Sequence, residues 1–241
     1  MKIVVTGALG HIGSKLIREL PNARPGTEIV MIDDMSTQRY CSLFNLPEAG
    51  KYRFVEADIT QTDLEPLFQG ASMVVHLAAI TNAAGSFDMR DKVEKNNYQA
   101  TLKTAEACAR LGVPLFYVST TSVYGTQEEV VDEACTEDEL QPQSPYAETK
   151  LREEKLLTQM AVEKGLKHIT CRFGTIFGTS EGMRFHTAVN KFCWQAVMGL
   201  PITVWRTALH QVRPYLALSD AGRAIQFVLE KQQFDGQIYN V

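Results

Sequence analysis

The 241-residue chain has no excess of basic residues: 24 Lys and Arg face 28 Asp and Glu, for a net charge of −4. Without a net basic field, neither nucleic acid nor an anionic membrane surface is expected as a partner. Cysteine is sparse. The five residues, Cys41, Cys108, Cys135, Cys171 and Cys193, are odd in number, widely spaced and without a C-x-x-C pair. A disulfide framework and a structural zinc site are disfavoured, and a reducing, cytoplasmic setting fits. No apolar run approaches the ~18–20 residues that cross a bilayer. The opening Met1-Lys2-Ile3-Val4-Val5 breaks at Thr6-Gly7, too early for a signal-peptide core. Internal repeats and Ser/Gly-rich linkers are missing as well. The hydrophobic content of 45% and charged content of 22% are those of a globular chain, which excludes disorder, collagen and coiled coil as the main architecture. The length suits one large domain or two small ones.

Several signatures of chemistry are also missing. His11, His76, His168, His186 and His210 form no H-E-x-x-H or similar metal spacing, and each reads as a packing or surface residue. By location, His11 and His76 can also line a bound cofactor. No G-x-S-x-G elbow occurs. Gly13-Ser14-Lys15-Leu16 lacks the Gly-Lys-Ser/Thr order of a P-loop. From Glu128 to Glu139, seven of twelve residues are acidic, which reads as a solvated loop, with a cation site or an active-site rim as the alternative.

What is present is a rhythm. Ile3–Val5, Ile29–Ile32, Tyr52–Val55, Met73–Leu77 and Leu115–Val118 are short runs rich in Val and Ile, suited to parallel strands covered on both faces. Helical stretches separate them at Ile12–Leu20, Asp63–Phe68 and Val93–Leu111. A helix over Ala147–Lys164 and a sixth strand over His168–Arg172 follow. Repeated strand–helix–strand units predict an α/β fold with a doubly wound, Rossmann-type parallel sheet. After Gly174 the pattern loosens to a helix near Thr187–Met198, a strand at Ile202–Trp205, a helix at Asp220–Lys231 and a strand at Gln237–Val241. A soft boundary near Gly178 divides a nucleotide-binding unit, 1–178, from a small C-terminal lobe, 179–241.

Strand 1 runs directly into Thr6-Gly7-Ala8-Leu9-Gly10-His11-Ile12-Gly13 and then a helix. Glycines at such a turn let the backbone approach a pyrophosphate and aim the helix N-terminus at it. A tight turn alone also needs glycine, so the context matters as much as the spacing. Twenty residues past Gly13 stand Asp33 and Asp34. A carboxylate there accepts from the adenosine ribose hydroxyls and repels a 2′-phosphate, which favours NAD over NADP.

Of the eight tyrosines only Tyr146 has a lysine at i+4, Lys150, so both project from one face of the predicted helix. This pair follows the fifth strand, whose C-terminal end carries Ser119-Thr120-Thr121-Ser122-Val123-Tyr124-Gly125. Ligands of doubly wound sheets sit at that end of the strands. A free tyrosine, with a pKa of about 10, is a poor base at neutral pH. A neighbouring ammonium favours the phenolate. Such a tyrosine can take the proton of a substrate hydroxyl while a carbon-bound hydride goes to NAD. A Thr120 hydroxyl would orient the same oxygen.

These residues resemble the extended short-chain dehydrogenase/reductase family, in its nucleotide-sugar epimerase/dehydratase branch. The resemblance covers nearly the whole chain. It rests on the glycine turn, Asp33, Ala57-Asp58-Ile59, His76-Leu77-Ala78-Ala79, Asn97, Ser119–Gly125, Tyr146-x-x-x-Lys150, Arg172–Gly178 and Arg213-Pro214-Tyr215. It implies that Gly7, Gly10, His11, Ile12 and Gly13 hold the NAD pyrophosphate. Asp33 and Asp34 would face the adenosine ribose, Asp58 and Ile59 the adenine, and Leu77, Ala78, Ala79, Asn97 and Ser119 the cofactor's course. Tyr146 and Lys150 would be base and ribose anchor, Thr120 the assisting hydroxyl, and Phe173 the border of the nicotinamide. Thr121 and Thr175 would contact substrate, and Arg213 would grip its diphosphate.

The departures are informative. Dehydratases of this branch carry acid residues at the positions of Thr121 and Ser122. Thr175 stands where epimerases often place asparagine, and Pro214 where an aspartate is usual. The resemblance therefore implies an NAD-dependent nucleoside-diphosphate-sugar epimerase acting at C4. A nucleotide-sugar reductase, dehydrogenase or dehydratase is the alternative, and a non-catalytic NAD-sensing protein a third class. It also implies a homodimer through the helices at 93–111 and 146–164. Gln237–Val241 resembles a strand after which family members continue for several dozen residues, so an incomplete substrate lobe is expected.

Overall fold

The computed structural model describes residues 1–81, 90–125, 131–204, 206, 209 and 212–241. Seven strands, β1 (Lys2–Thr6), β2 (Glu28–Asp33), β3 (Lys51–Glu56), β4 (Met73–His76), β5 (Leu115–Thr120), β6 (His168–Phe173) and β9 (Ile238–Asn240), form one sheet in the order β3-β2-β1-β4-β5-β6-β9. Every pairing is parallel. The order reverses between β1 and β4, which is where doubly wound sheets open a crevice. The Rossmann expectation holds.

The strands are apolar on both faces because both are covered. Ile3 and Val5 pack with Leu16, Ile17 and Leu20 of α1 (His11–Ala23) and Ile225 and Leu229 of α6 (Leu218–Lys231). Val4, Val30 and Val74 point the other way. They meet Ala100 and Ala105 of α3 (Arg90–Leu111) and Leu157 and Met160 of α4 (Pro145–Lys164). Burying a Val, Leu or Ile side chain contributes about 1.5–3 kcal/mol, so these two layers are the principal stabilising term. A single turn, α2 (Glu65–Phe68), bridges β3 and β4.

Local signals set the helix ends. Ser144 caps α4 by accepting from the Ala147 N–H at 3.2 Å, and Pro145 occupies its first turn. Gly165 ends it in the left-handed conformation at φ 67°. Arg90–Glu148, Glu94–Arg152 and Glu106–Lys164 pair at a constant offset of 58, so α3 and α4 run side by side in the same direction. Exposed pairs of this kind are worth about 0–1 kcal/mol each. Their effect is register rather than stability.

The chain beyond β6 departs from expectation. A two-stranded parallel sheet joins β7 (Thr175–Phe177) to β8 (Tyr215–Ala217). Three-residue strands are too short to leave a periodic signal in sequence. The strand expected over Ile202–Trp205 does not form across Ile202–Val204, and Trp205 lies outside the described residues. After α5 (Ala188–Val197) the chain returns to the main body: α6 packs on α1 and β9 pairs with β6. The segment 179–241 thus contributes a strand to each of the two sheets.

Candidate active site

The first turn is built by steric exclusion. Gly7 has φ 65°, and a Cβ there would lie 2.7 Å from the Ala78 N at the end of β4. A Cβ on Gly13 would lie 2.5 Å from the Gly7 carbonyl oxygen. Glycine therefore lets α1 seat directly on the β1–β4 crevice. No side chain caps α1, and its first turn holds no acidic residue, so its leading N–H groups face the groove free of a competing anion.

One groove runs along Gly7, Gly10, His11, Ile12, Gly13, Asp33, Asp34, Asp58, Ile59, Leu77, Ala78 and Ala79. These are the residues expected to hold a dinucleotide. The Asp33 carboxylate accepts from the Leu9 N–H at 3.0 Å and the Met35 N–H at 3.1 Å, which fixes its direction. Burial pushes its carboxyl up from the ordinary value, although those two N–H groups oppose the rise. Asp34 and Asp58 each tie a following turn, accepting from the Ser36 and Thr60 N–H groups. Ser36, Thr37, Arg39 and Asn96 also line this groove, and no motif in the sequence marks them.

A second groove opens at the carboxyl ends of β5 and β6. Thr120, Ser122, Tyr146, Lys150, Phe173 and Thr175 line it together with Ser119, His11 and His76. Tyr146 and Lys150 share one face of α4, as the i+4 spacing requires. The Thr120 hydroxyl accepts from the Ser122 N–H at 3.2 Å and donates to the Ser122 hydroxyl at 3.1 Å. Ser119 is buried and donates to Glu154, which in turn receives Arg172 Nη2 at 2.6 Å.

Three expected residues lie elsewhere. Asn97 is buried and clamps Ile80 through both amide atoms, at 2.8 and 3.0 Å, and lines neither groove. Thr121 donates to the Phe173 carbonyl at 3.4 Å and also lines neither. Arg213 is exposed and outside both. Conversely, Arg184 lines both grooves and His186 the second, although the sequence alone presents His186 as a packing or surface residue. Their Arg-x-His spacing matches no known signature, so only the fold brings them in. His210 lies outside the described residues, as do 126–130 of the acidic stretch. Among the described residues no group of His, Cys, Asp and Glu could hold a metal ion, and no helix is long and apolar enough to cross a membrane.

Behind the second groove is a buried polar network. Lys150 Nζ donates to the Tyr117 hydroxyl at 3.1 Å and the Val118 carbonyl at 3.0 Å, and pairs with Glu153 at 3.3 Å. Thr101 donates to Glu153 at 3.0 Å, so it accepts from His76 Nε2 at 3.2 Å. His76 Nδ1 is then the acceptor for Thr6 at 2.8 Å. Burial, and secondly the Lys150 charge, push His76 down to about 3, so the ring is neutral. An unfolded histidine titrates at about 6.5. Between those values the unfolded chain binds the extra proton, so stability rises with pH across this window. Roughly 3 kcal/mol should be lost between pH 7 and 4. Thermal melts should show a shallower acid dependence for His76→Gln than for the parent; equal slopes would remove this residue from the acid response.

Residues 3–241 match the NAD dependent epimerase/dehydratase family. The chain is 31% identical over 250 residues to a Bacillus subtilis protein, an uncharacterized UDP-glucose epimerase, spanning 100% of this chain and 76% of that one. It is 31% identical over 249 residues to an Arabidopsis thaliana trifunctional UDP-glucose 4,6-dehydratase/3,5-epimerase/reductase, of which it spans 36%. The Bacillus cereus UDP-glucuronic acid 4-epimerase, solved with UDP-glucuronic acid and NAD, superimposes with a TM-score of 0.87 at 30% identity, covering 100% of this chain and 77% of that one. With its glycine turn, Asp33 and Tyr146–Lys150 pair set around one crevice, the chain belongs to the NAD-dependent epimerase/dehydratase family.

Proposed function

We propose that the protein is an NAD-dependent nucleoside-diphosphate-sugar epimerase acting at C4. The observation that carries this reading is the second groove. It gathers Thr120, Tyr146 and Lys150 at the mouth of a dinucleotide cradle, with Ser122 where a dehydratase would carry an acid. The cradle fits NAD: a Cβ would fill the space at Gly7 and Gly13, α1 is uncapped, and Asp33 faces the groove. NAD supplies a hydride acceptor that can return what it takes. Tyr146 would hold and return the proton of the C4 hydroxyl, with Thr120 orienting that oxygen and Lys150 anchoring the floor of the site. The transient 4-keto sugar turns between the two transfers. Elimination of water would need a second acid and base, and Thr121 and Ser122 supply neither. Thr175 lines the same groove and would contact the substrate.

In this reading residues 1–178 carry the cofactor and the catalytic residues, and 179–241 supply a partial substrate lobe while completing the sheet. The five free cysteines suit a reducing, cytoplasmic setting. A homodimer through 93–111 and 146–164 belongs to the same proposal, and a monomer mass by light scattering would dispose of it. The function is tested by incubating the NAD-loaded protein with UDP-, GDP-, CDP- and dTDP-sugars and reading products by NMR. The expected product is the C4 epimer with no net NADH. Stoichiometric NADH change would move the assignment to a reductase or dehydrogenase, and a 6-deoxy-4-keto product to a dehydratase.

A further inference from the structure

The first groove is lined by three carboxylates, Asp33, Asp34 and Asp58, yet a dinucleotide brings a diphosphate into it. Its guanidiniums are Arg39 and Arg184. Arg184 lines the second groove as well, whereas Arg39 lines the first alone. The loop that carries Arg39 is fastened to the glycine turn. The buried Ser42 donates to the Leu9 carbonyl at 2.9 Å, and Asp33 accepts from the Leu9 N–H at 3.0 Å. Both backbone groups of Leu9 are thus held by the chain after β2.

That chain is bent at a cost. Met35 at φ 58° and Gln38 at φ 52° lie in the left-handed region, which costs a side-chain-bearing residue about 1–2 kcal/mol. The Gln38 N–H closes the turn on the Met35 carbonyl at 2.8 Å. Arg39 follows directly, and its Nη1 stands 3.8 Å from where a Cβ on Gly10 would lie. Gly10 is the residue that opens α1. The strained turn therefore delivers a guanidinium beside the uncapped start of that helix. Strain of this kind is retained where the site needs the conformation it enforces.

The guanidinium has no work inside the protein. Among the described residues, no hydrogen bond or ion pair engages Arg39. Arg18, farther along α1, instead donates to the Ser14 and Phe44 carbonyls and pairs with Glu181 at 3.1 Å. The charge of Arg39 is nevertheless felt around the groove. Burial pushes the Asp33 carboxyl up, and Arg39 is among the groups that oppose the rise. Burial pushes His11 and His186 down, and Arg184 and Arg39 lower both further. The groove beside Gly10 is thus electropositive, which suits a phosphate better than a ribose hydroxyl.

We propose that Arg39 binds the diphosphate of NAD, closing it against the leading N–H groups of α1. The inference rests on the dinucleotide cradle and not on the epimerase assignment. Helix N–H groups form one side of the seat, and a guanidinium fork supplies charge-assisted bonds on the other. The 2′-phosphate of NADP is the other anion that a guanidinium in this groove could meet, and Asp33 repels it.

The test titrates the parent, Arg39→Met and Arg39→Lys with NAD, ADP-ribose and NADP by calorimetry, and with adenosine by NMR. Arg39→Met should weaken NAD and ADP-ribose about 10- to 100-fold, the loss expected for one charge-assisted hydrogen bond. Adenosine, which has the ribose but no phosphate, should bind within about twofold of the parent. Arg39→Lys keeps the charge without the fork and should recover part of the loss. Added salt should weaken NAD binding more in the parent than in Arg39→Met. The ligand-free melting midpoints should agree, because the guanidinium holds no partner within the protein. An unchanged NAD Kd in Arg39→Met overturns the inference. An equal loss for adenosine also overturns it, making Arg39 a support for Asp33, and a loss confined to NADP places Arg39 at the 2′-phosphate instead. A parent that binds NAD but epimerises no nucleotide sugar refutes the proposed function alone.

Discussion

Tyr146→Phe should slow C4 interconversion about 10²- to 10⁴-fold, the range set by losing one positioned acid–base group. The ring stays, so the half-buried aromatic surface at the start of α4 is preserved. The Ser144 cap and Pro145 that begin the helix are untouched. The melting midpoint and the NAD Kd should therefore match the parent, which separates a chemical loss from a folding loss. Only the hydroxyl proposed to exchange the substrate proton is gone. Thr120 cannot substitute, because its hydroxyl is engaged with Ser122 and an aliphatic alcohol is a far weaker acid than a phenol. Product NMR on equal amounts of the two proteins gives the ratio directly. A variant that works at the parent rate would remove Tyr146 from the mechanism, and with it the reason for placing catalysis in the second groove.

Much of this architecture is legible in the sequence. The Val and Ile runs identify β1, β2, β4 and β5 because a strand covered on both faces has no polar phase to obscure it. The glycine turn, Asp33 and the Tyr146–Lys150 pair are local in sequence, and each is needed at a fixed place by the way strand passes into helix. What was not legible depends on separations that no local pattern records. Thr81 and Arg184 meet only because the loop after β7 reaches the loop after β4. The family resemblance makes Asn97 of α3 a cofactor residue, yet its amide is consumed by Ile80. Arg213 follows the expected motif order but emerges exposed two residues before β8, a strand whose three residues carry no period. Glu153 sits beside Glu154 in a helix that reads as charged, and nothing in that reading separates a buried carboxylate from a solvated one.

Glu153→Ala should be among the most destabilising single changes in the chain, costing about 3–5 kcal/mol. The side chain is fully buried. One oxygen accepts from Thr101 at 3.0 Å, and the other from the Tyr117 hydroxyl and Lys150. Removing the carboxylate strands the Lys150 ammonium in the interior and leaves two hydroxyl donors without their acceptor. Burial first, and then the Glu153 charge, raise the Tyr117 phenol well above its ordinary value, so it stays a donor and cannot neutralise Lys150 itself. For a chain of this size each kcal/mol moves the melting midpoint by about 2–4 °C, so a fall of roughly 6–20 °C is expected. Glu153→Gln should fall less, since its amide oxygen still accepts from Thr101 or Tyr117. The decisive comparison is Glu153→Leu combined with Lys150→Met. If the cost is an uncompensated buried charge, removing both charges should recover most of the stability while abolishing turnover. If the double variant melts as low as Glu153→Ala, the cost lies in packing, and the carboxylate behind Lys150 is a space-filler rather than the counter-charge that lets an ammonium stand under the second groove.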